Sequence, residues 1–156
     1  MSLLVKRLQD RGFVARYRTS VNSTLSKEDA FSYMANFANA ALWDPSVVSA
    51  ATVGPGPVGN GTEFDLVTEF RGRKVALRYQ ITTYEAPRQV VLTARTPRLL
   101  SRDTITVESR EGGSEMTYDA YLALQGVARV ADPVLGIFFK HIGDAARDGL
   151  LRVLNP

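Results

Sequence analysis

Polar and apolar residues alternate along the first part of the chain. Within residues 13–25, one face carries Phe13, Ala15, Tyr17, Thr19 and Val21, and the other carries Arg16, Arg18 and Ser20. A period of two is typical of a strand with one buried face. Ser26 is a suitable N-cap, and apolar residues follow it at helical spacing. A second short helical turn should end before Trp43-Asp44-Pro45, because a residue that precedes proline avoids the helical conformation.

Six more segments show strand-like alternation and are joined by short connections. The predicted strands are 47–53, 62–71, 75–83, 89–96, 100–109 and 116–124. Tight turns are expected at Arg71-Gly72-Arg73 and at Glu111-Gly112-Gly113-Ser114. Such short connections join antiparallel neighbours, so the sequence predicts an antiparallel meander.

The hydrophobic period becomes helical after residue 127. The residues expected on one helical face are Val134, Phe138, Ile142, Ala145 and Gly149. Asp132-Pro133 has the residue types of an N-cap and a first helical position. We expect a short turn over 127–131 and a main helix from there to about Val153. Gly149 inside that helix indicates either close contact with the sheet or space kept open for a ligand.

The composition narrows the classes of protein to consider. The 156 residues fit one domain, which we assign to 13–156, with an N-terminal extension over 1–12. There is no cysteine and one histidine, His141. This excludes disulfide scaffolds, thiolate nucleophiles and metal sites built on sulfur, and no metal site or cofactor is expected. No apolar run is long enough to span a membrane and no signal peptide is evident, so we expect a cytoplasmic protein without integral membrane association.

The net charge of +3 raises the question of an anionic partner. Basic surfaces can bind nucleic acids or anionic membranes. Here the arginines are interleaved with 16 acidic residues, and no block of five like charges occurs. We therefore expect a mixed, solvated surface and no nucleic-acid partner. The alternative, a basic module acting on lipid surfaces or RNA, requires the arginines to gather on one face.

One segment, Gly54-Pro55-Gly56-Pro57-Val58-Gly59, matches the glycine pattern of dinucleotide-binding loops. That chemistry needs a helix after the loop and backbone N–H groups for the pyrophosphate. A predicted strand follows here instead, and proline removes N–H donors at two positions. We interpret the segment as a stiff loop between strands.

Together these features resemble the helix-grip superfamily of START lipid-transfer domains, birch-pollen-allergen-like proteins and bacterial polyketide cyclase/dehydrase (SRPBCC) proteins. The resemblance covers roughly residues 13–154. It rests on the capped helix before Trp43-Asp44-Pro45, the loop 53–59, the turn Tyr84-Glu85-Ala86-Pro87-Arg88 and the helix after Gln125-Gly126. It implies an α+β fold in which a curved seven-stranded antiparallel sheet surrounds a long C-terminal helix, with two short helices after the first strand.

The resemblance also implies a function. A hydrophobic or aromatic small molecule, of lipid or polyketide type, would bind between the sheet and the C-terminal helix. The enzymatic alternative is a polyketide cyclase/dehydrase reaction, an aldol closure followed by loss of water, in the same cavity. The protein would be a monomer or a homodimer.

Strand alternation and helical spacing point a set of mostly apolar side chains into that space. The predicted ligand-binding residues are Trp43, Phe64, Leu66, Leu77, Tyr79, Leu92, Leu122, Phe138 and Ile142. Trp43 is expected at the cavity entrance, and the alternative is that it anchors the two short helices in the core.

Three residues are the candidate catalytic or polar anchoring groups: His141, Asp103 and Tyr118. Asp103 shares a strand face with apolar residues, where a carboxyl group is costly unless paired, and Arg95 should point away from it. The alternative for Asp103 is a strand end near solvent, and for His141 a hydrogen-bonded boundary position. Burial would raise the pKa of Asp103 and lower that of His141. A register slip of one residue would move Asp103 to the opposite face.

Overall fold

A seven-stranded antiparallel sheet dominates the computed structural model, which describes residues 13–125 and 133–156. The strands are β1 (Phe13–Ser23), β2 (Val47–Val53), β3 (Glu63–Phe70), β4 (Arg73–Glu85), β5 (Gln89–Thr96), β6 (Leu99–Arg110) and β7 (Gly113–Leu124). The helices are α1 (Lys27–Ala35), a 3₁₀ turn (Phe37–Asn39), α2 (Ala40–Trp43) and α3 (Pro133–Val153). The predicted extension over 1–12 and the predicted turn over 127–131 lie outside the described residues.

The strand order is β1-β7-β6-β5-β4-β3-β2, and every neighbouring pair is antiparallel. The predicted meander is therefore confirmed. The first strand closes against the last, with Phe13 opposite Leu124 and Ser23 opposite Ser114. Successive hairpins reverse direction, so the turns after β3 and β5 lie at one end of the sheet and those after β2, β4 and β6 lie at the other.

The helices cover the concave face of this sheet in two parts. Ser26 caps α1 by accepting a hydrogen bond from the Asp29 amide at 3.1 Å. This helix packs against β6 and β7 through Phe31 and Met34, and the 3₁₀ turn packs against β2 and β3. The long helix α3 packs on β1 and α2. The fold is thus the helix-grip arrangement that the sequence resemblance implied.

An aromatic core fills the half of the concave face beneath the short helices. Phe37 is its centre, with ring centroids of Trp43, Phe64 and Tyr79 at 6.2, 6.4 and 5.1 Å. Fully buried strand residues surround it: Ile81, Val90, Leu92, Ile105, Val107 and Met116. These aromatic and aliphatic side chains pack against one another in this half.

Two glycines of α3 mark close approaches. A Cβ atom at Gly149 would overlap the backbone of Trp43, and one at Gly143 would overlap the Tyr17 ring. Of the two explanations open for Gly149, close contact holds, although its partner is the short helix α2 and not the sheet. Gly136, in the first turn of the same helix, faces open space.

These contacts predict opposite effects of one substitution at two positions of α3. Gly149→Ala should lower the free energy of unfolding by about 1–3 kcal/mol, because the new methyl group forces helix and backbone apart. Gly136→Ala should raise it by up to about 1 kcal/mol through helix propensity alone. Urea denaturation of both variants measures this, and equal stability of the two would contradict the packing described.

Candidate functional site

A cavity of about 220 Å³ lies in the half of the concave face that the short helices leave uncovered. Its walls are the first half of α3 and the strand segments near the turns after β3 and β5. The apolar lining residues are Val47, Leu66, Phe70, Val75, Leu77, Leu99, Ala120, Leu122, Leu124, Phe139, Ile142 and Ala146. An apolar cavity of roughly 150 Å³ accommodates benzene. This one therefore has room for one or two fused rings.

Five of the nine predicted ligand-binding residues lie on the cavity wall. They are Leu66, Leu77, Tyr79, Leu122 and Ile142. Each strand residue among them points to the concave face, as alternation required, and lies in the half of the sheet that the short helices do not reach.

Three others belong to the aromatic core and are absent from the cavity lining: Trp43, Phe64 and Leu92. Trp43 is 2% exposed, so it anchors the short helices and is not at an entrance. Its ring packs edge-on behind Tyr118 at 5.4 Å. Alternation identifies the face of a strand correctly but not the position along the strand at which the cavity begins.

The helical phase of α3 differs from the predicted one. Phe138 packs edge-on against Phe70 at 4.9 Å, and Phe139 faces the cavity in its place. The inward face thus continues from Phe139 through Ile142 and Ala146. Phe139 is not predicted from the sequence because two adjacent phenylalanines satisfy the helical spacing almost equally.

His141 does not reach the cavity. It is exposed on α3, two residues beyond Phe139 and therefore about 200° round the helix from the inward face. The prediction that His141 lies at the cavity wall is wrong, and we exclude this residue from the candidate site.

Polar groups gather where the cavity meets the aromatic core. Asp103 is 4% exposed, on the same strand face as Ser101 and Ile105. The Tyr79 hydroxyl lies 2.8 Å from Ser101 Oγ, and the Tyr118 hydroxyl forms a hydrogen bond with the Asp103 carboxyl group. We call Tyr79, Ser101, Asp103 and Tyr118 the polar floor. All four line the cavity.

Burial controls the charge of the polar floor. Desolvation and, to a smaller extent, the nearby Asp44 raise the pKa of Asp103 to about 8, against the lowering effect of the hydrogen bond with Tyr118. Desolvation and Asp103 also raise the pKa of both Tyr79 and Tyr118. At neutral pH the floor is therefore mostly uncharged and can both donate and accept hydrogen bonds.

A second carboxyl group, Asp44, lines the cavity from the α2–β2 junction. Its Oδ1 accepts hydrogen bonds from the Ser46 amide at 2.9 Å and the Ser46 hydroxyl at 2.7 Å. Desolvation raises its pKa. Within the described residues, no lysine or arginine forms a salt bridge with Asp44 or Asp103. Sequence reasoning treated Asp44 only as a helix stop, although an Asp that precedes Pro-Ser also has the pattern of an Asx turn.

Tyr17 completes the wall on the β1 side. Its hydroxyl donates to Asp144 Oδ1 at 2.9 Å, and Gly143 leaves space for its ring. Burial and the hydrogen bond to Asp144 raise the pKa of Tyr17 to about 12, so this hydroxyl also stays protonated.

Other kinds of site find no support in the described part of the chain. It contains no group of three or more potential metal ligands. None of its helices is long and apolar enough to cross a membrane.

Comparison with known proteins agrees with this architecture. Residues 14–154 match the family described as polyketide cyclase / dehydrase and lipid transport. No curated protein matches the sequence.

Several solved structures share the fold. A START superfamily protein from Mycobacterium smegmatis superimposes with a TM-score of 0.69 at 11% identity, over 89% of this chain and 96% of that one. The two-domain ARO/CYC protein StfQ of the steffimycin biosynthetic pathway gives 0.68 at 14%, over 91% of this chain and 49% of that one. Major latex-like protein 151 from Panax ginseng gives 0.67 at 8%, over 93% and 100%. At such identities the likeness extends to the fold alone. The family match, which covers nearly the whole chain, shows that the protein belongs to the polyketide cyclase/dehydrase and lipid transport family.

Proposed function

We propose that the protein binds a ring-containing apolar molecule of polyketide or lipid type, with a hydroxyl or carbonyl group placed on the polar floor. The observation that carries this proposal is an apolar cavity closed at its inner end by Asp103 and Tyr118. Ligand pockets typically combine apolar walls with a few convergent polar groups that fix orientation. The family to which the chain belongs supports the same class of ligand.

The volume of the cavity and the protonation states of its polar groups restrict the ligand further. About 220 Å³ is slightly below the range of roughly 300–1,000 Å³ for drug-sized ligands, which favours a compact ring system. A neutral Asp103 can donate to a carbonyl oxygen, and the Tyr118 hydroxyl can donate or accept. An anionic group on the floor would lie near the carboxyl groups of Asp44 and Asp103. Among the described residues, no lysine or arginine forms a salt bridge with either of them. A neutral oxygen function therefore suits this site best.

An enzymatic function is the second candidate, and the pKa of Asp103 near neutrality favours it. A carboxyl group with a pKa of about 8 can give up and take back a proton at physiological pH. In an aldol closure, ionised Asp103 would take a proton from the carbon that forms the new C–C bond. That proton would be returned to the alkoxide oxygen that forms on the attacked carbonyl group. Asp103 would then remove a second proton from the same carbon and pass it to the resulting hydroxyl group, which leaves as water as the C=C bond forms. Tyr118 would hold the reacting carbonyl group.

The binding proposal predicts a difference between two probes of similar size. 2-Naphthol should bind to the wild-type protein more tightly than naphthalene. Asp103→Asn and Tyr118→Phe should each weaken 2-naphthol binding by roughly 5- to 100-fold, the loss expected for one buried hydrogen bond, and should change naphthalene binding little. Fluorescence titration measures both affinities.

Asp65→Asn is the matched control for the binding measurement. Asp65 lies on the outer face of β3, paired with Arg78 at 2.8 Å, and should leave both affinities unchanged. If neither probe binds to the wild-type protein, or if both variants bind 2-naphthol as the wild type does, the proposal fails.

Burial of Asp103 also predicts a pH dependence of stability. The folded-state pKa of about 8 lies above the unfolded value of about 4, so the wild type should lose stability as pH rises between these values. Asp103→Asn cannot ionise and should gain stability relative to the wild type from pH 5 to pH 9. The difference in stability between Asp65→Asn and the wild type should not change with pH. The pKa of Asp65 is lowered, so this group stays ionised from pH 5 to pH 9. Thermal unfolding across the pH range tests this, and parallel curves for Asp103→Asn would show that the carboxyl group is not buried in this way.

The enzymatic candidate has its own test. A soluble aromatic β-polyketone should cyclise and lose water faster with wild-type protein than with Asp103→Asn, by roughly 10²- to 10⁴-fold if Asp103 transfers the proton. Mass spectrometry of the products measures the rate. Equal rates for the two proteins would remove the enzymatic candidate while leaving ligand binding to be judged by the probe titration.

A further inference from the structure

Cationic side chains are concentrated at one end of the sheet. This is the end formed by the turns after β3 and β5, together with the first half of α3, whose Phe138 contacts Phe70. Its exposed cations, which we call the basic rim, are Arg71, Arg73, Lys74, Arg95, Arg98 and Lys140. The acids at or near this end include Glu69, the cavity-lining Asp44 and Asp144, which lies one helical turn beyond Lys140. The opposite end, in contrast, carries four acids and two arginines: Glu85, Glu108, Glu111, Glu115, Arg88 and Arg110.

The basic rim also differs in its pairing from five arginines elsewhere in the described chain that form salt bridges, although Arg102, Arg147 and Arg152 form none. Elsewhere, Arg78 pairs with Asp65, Arg88 with Glu85, and Arg110 with Glu108 and Glu115. In the part of the chain that the structure describes, none of the six rim cations takes part in a salt bridge. Clustered like charges without internal partners repel one another, and an external anionic surface would relieve that repulsion.

The backbone at Arg71 gives an independent indication. Arg71 has φ of 51° and Gly72 has φ of 77°, so both lie in the left-handed region. A two-residue hairpin turn of this kind favours asparagine, aspartate or glycine, and other L-residues are disfavoured there. A cation in a strained backbone conformation at the tip of the turn indicates a functional role for the exposed Arg71 side chain.

Apolar groups are exposed beside the basic rim. Ile137 on α3 is 70% exposed and Val75 on β4 is 38% exposed. Val75 lines the cavity as well, with Phe70 and Leu99 from the adjoining strand ends. The cavity therefore extends to the end of the molecule that combines cations with accessible apolar side chains.

We propose that this end docks reversibly on an anionic lipid surface, with the basic rim on the headgroups and Ile137 at the boundary with the acyl chains. Each lysine or arginine near such a surface adds to the attraction, and salt screens it. Few apolar side chains are available for insertion, so the attachment is weak. An apolar ligand could then pass between bilayer and cavity without crossing water.

A lipid surface fits these residues better than a nucleic acid does. Binding of single strands uses exposed aromatic rings on which bases stack. At this end, Phe70 and Phe138 pack against each other, and the exposed apolar side chains are aliphatic. Aliphatic side chains beside cations match an interface of headgroups and acyl chains.

Co-sedimentation with vesicles tests the proposal. Wild-type protein should pellet with vesicles of phosphatidylcholine and phosphatidylserine, remain free with phosphatidylcholine alone, and be released by high salt. The double variant Arg73→Glu/Lys74→Glu should bind the anionic vesicles at least tenfold more weakly. Ile137→Ser should weaken binding by a few fold at unchanged net charge.

The matched control is Arg88→Glu/Arg110→Glu, which changes the net charge equally at the opposite end of the sheet and should retain most of the vesicle binding. Absence of a preference for anionic vesicles would overturn the proposal, as would equal losses in the two double variants. A different result is that an RNA oligonucleotide binds as tightly as the anionic vesicles do, with an affinity that Ile137→Ser does not change. That result would overturn the proposal in favour of a nucleic-acid partner. Titration with 2-naphthol without vesicles keeps the two proposals separate, because the Arg73→Glu/Lys74→Glu variant should bind this probe as the wild type does.

Discussion

A carboxyl group with 4% exposure and no described cationic partner governs the candidate site. Asp103 can occupy its position at neutral pH because it is mostly protonated and hydrogen-bonded with Tyr118. Tyr118 is in turn held by the ring of Trp43, and the backbone of Trp43 fits against Gly149 of the long helix. The orientation of the polar floor thus depends on helix packing on the far side of the aromatic core.

The same arrangement explains why the cavity exists at all. The short helices and Phe37 fill one half of the concave face with tightly packed rings. In the other half, α3 approaches β1 through Gly143 and contributes Phe139 and Ile142 to a wall that the sheet does not fully meet. The aromatic core therefore forms the base of the cavity, and the polar floor lies on the boundary between the aromatic core and the cavity.

Much of this architecture could be predicted from the sequence, because each strand has one buried face and period-two alternation reports that face directly. Asp103 stood out for the same reason, as a carboxyl group among apolar positions. Phe64 and Leu92 were placed on the correct face but in the wrong half, since alternation carries no information about which half the short helices cover. Phe139 was missed because adjacent phenylalanines leave the helical phase ambiguous, and the same ambiguity placed His141 at a wall that it does not reach.

The protonation state of Asp103 is the most direct test of this account. An NMR titration that follows the Asp103 carboxyl carbon should show a midpoint near 8, and saturation with 2-naphthol should move it upward, because the probe hydroxyl binds to the neutral acid. A midpoint near 4 that does not respond to 2-naphthol would show a solvated carboxylate and contradict the account.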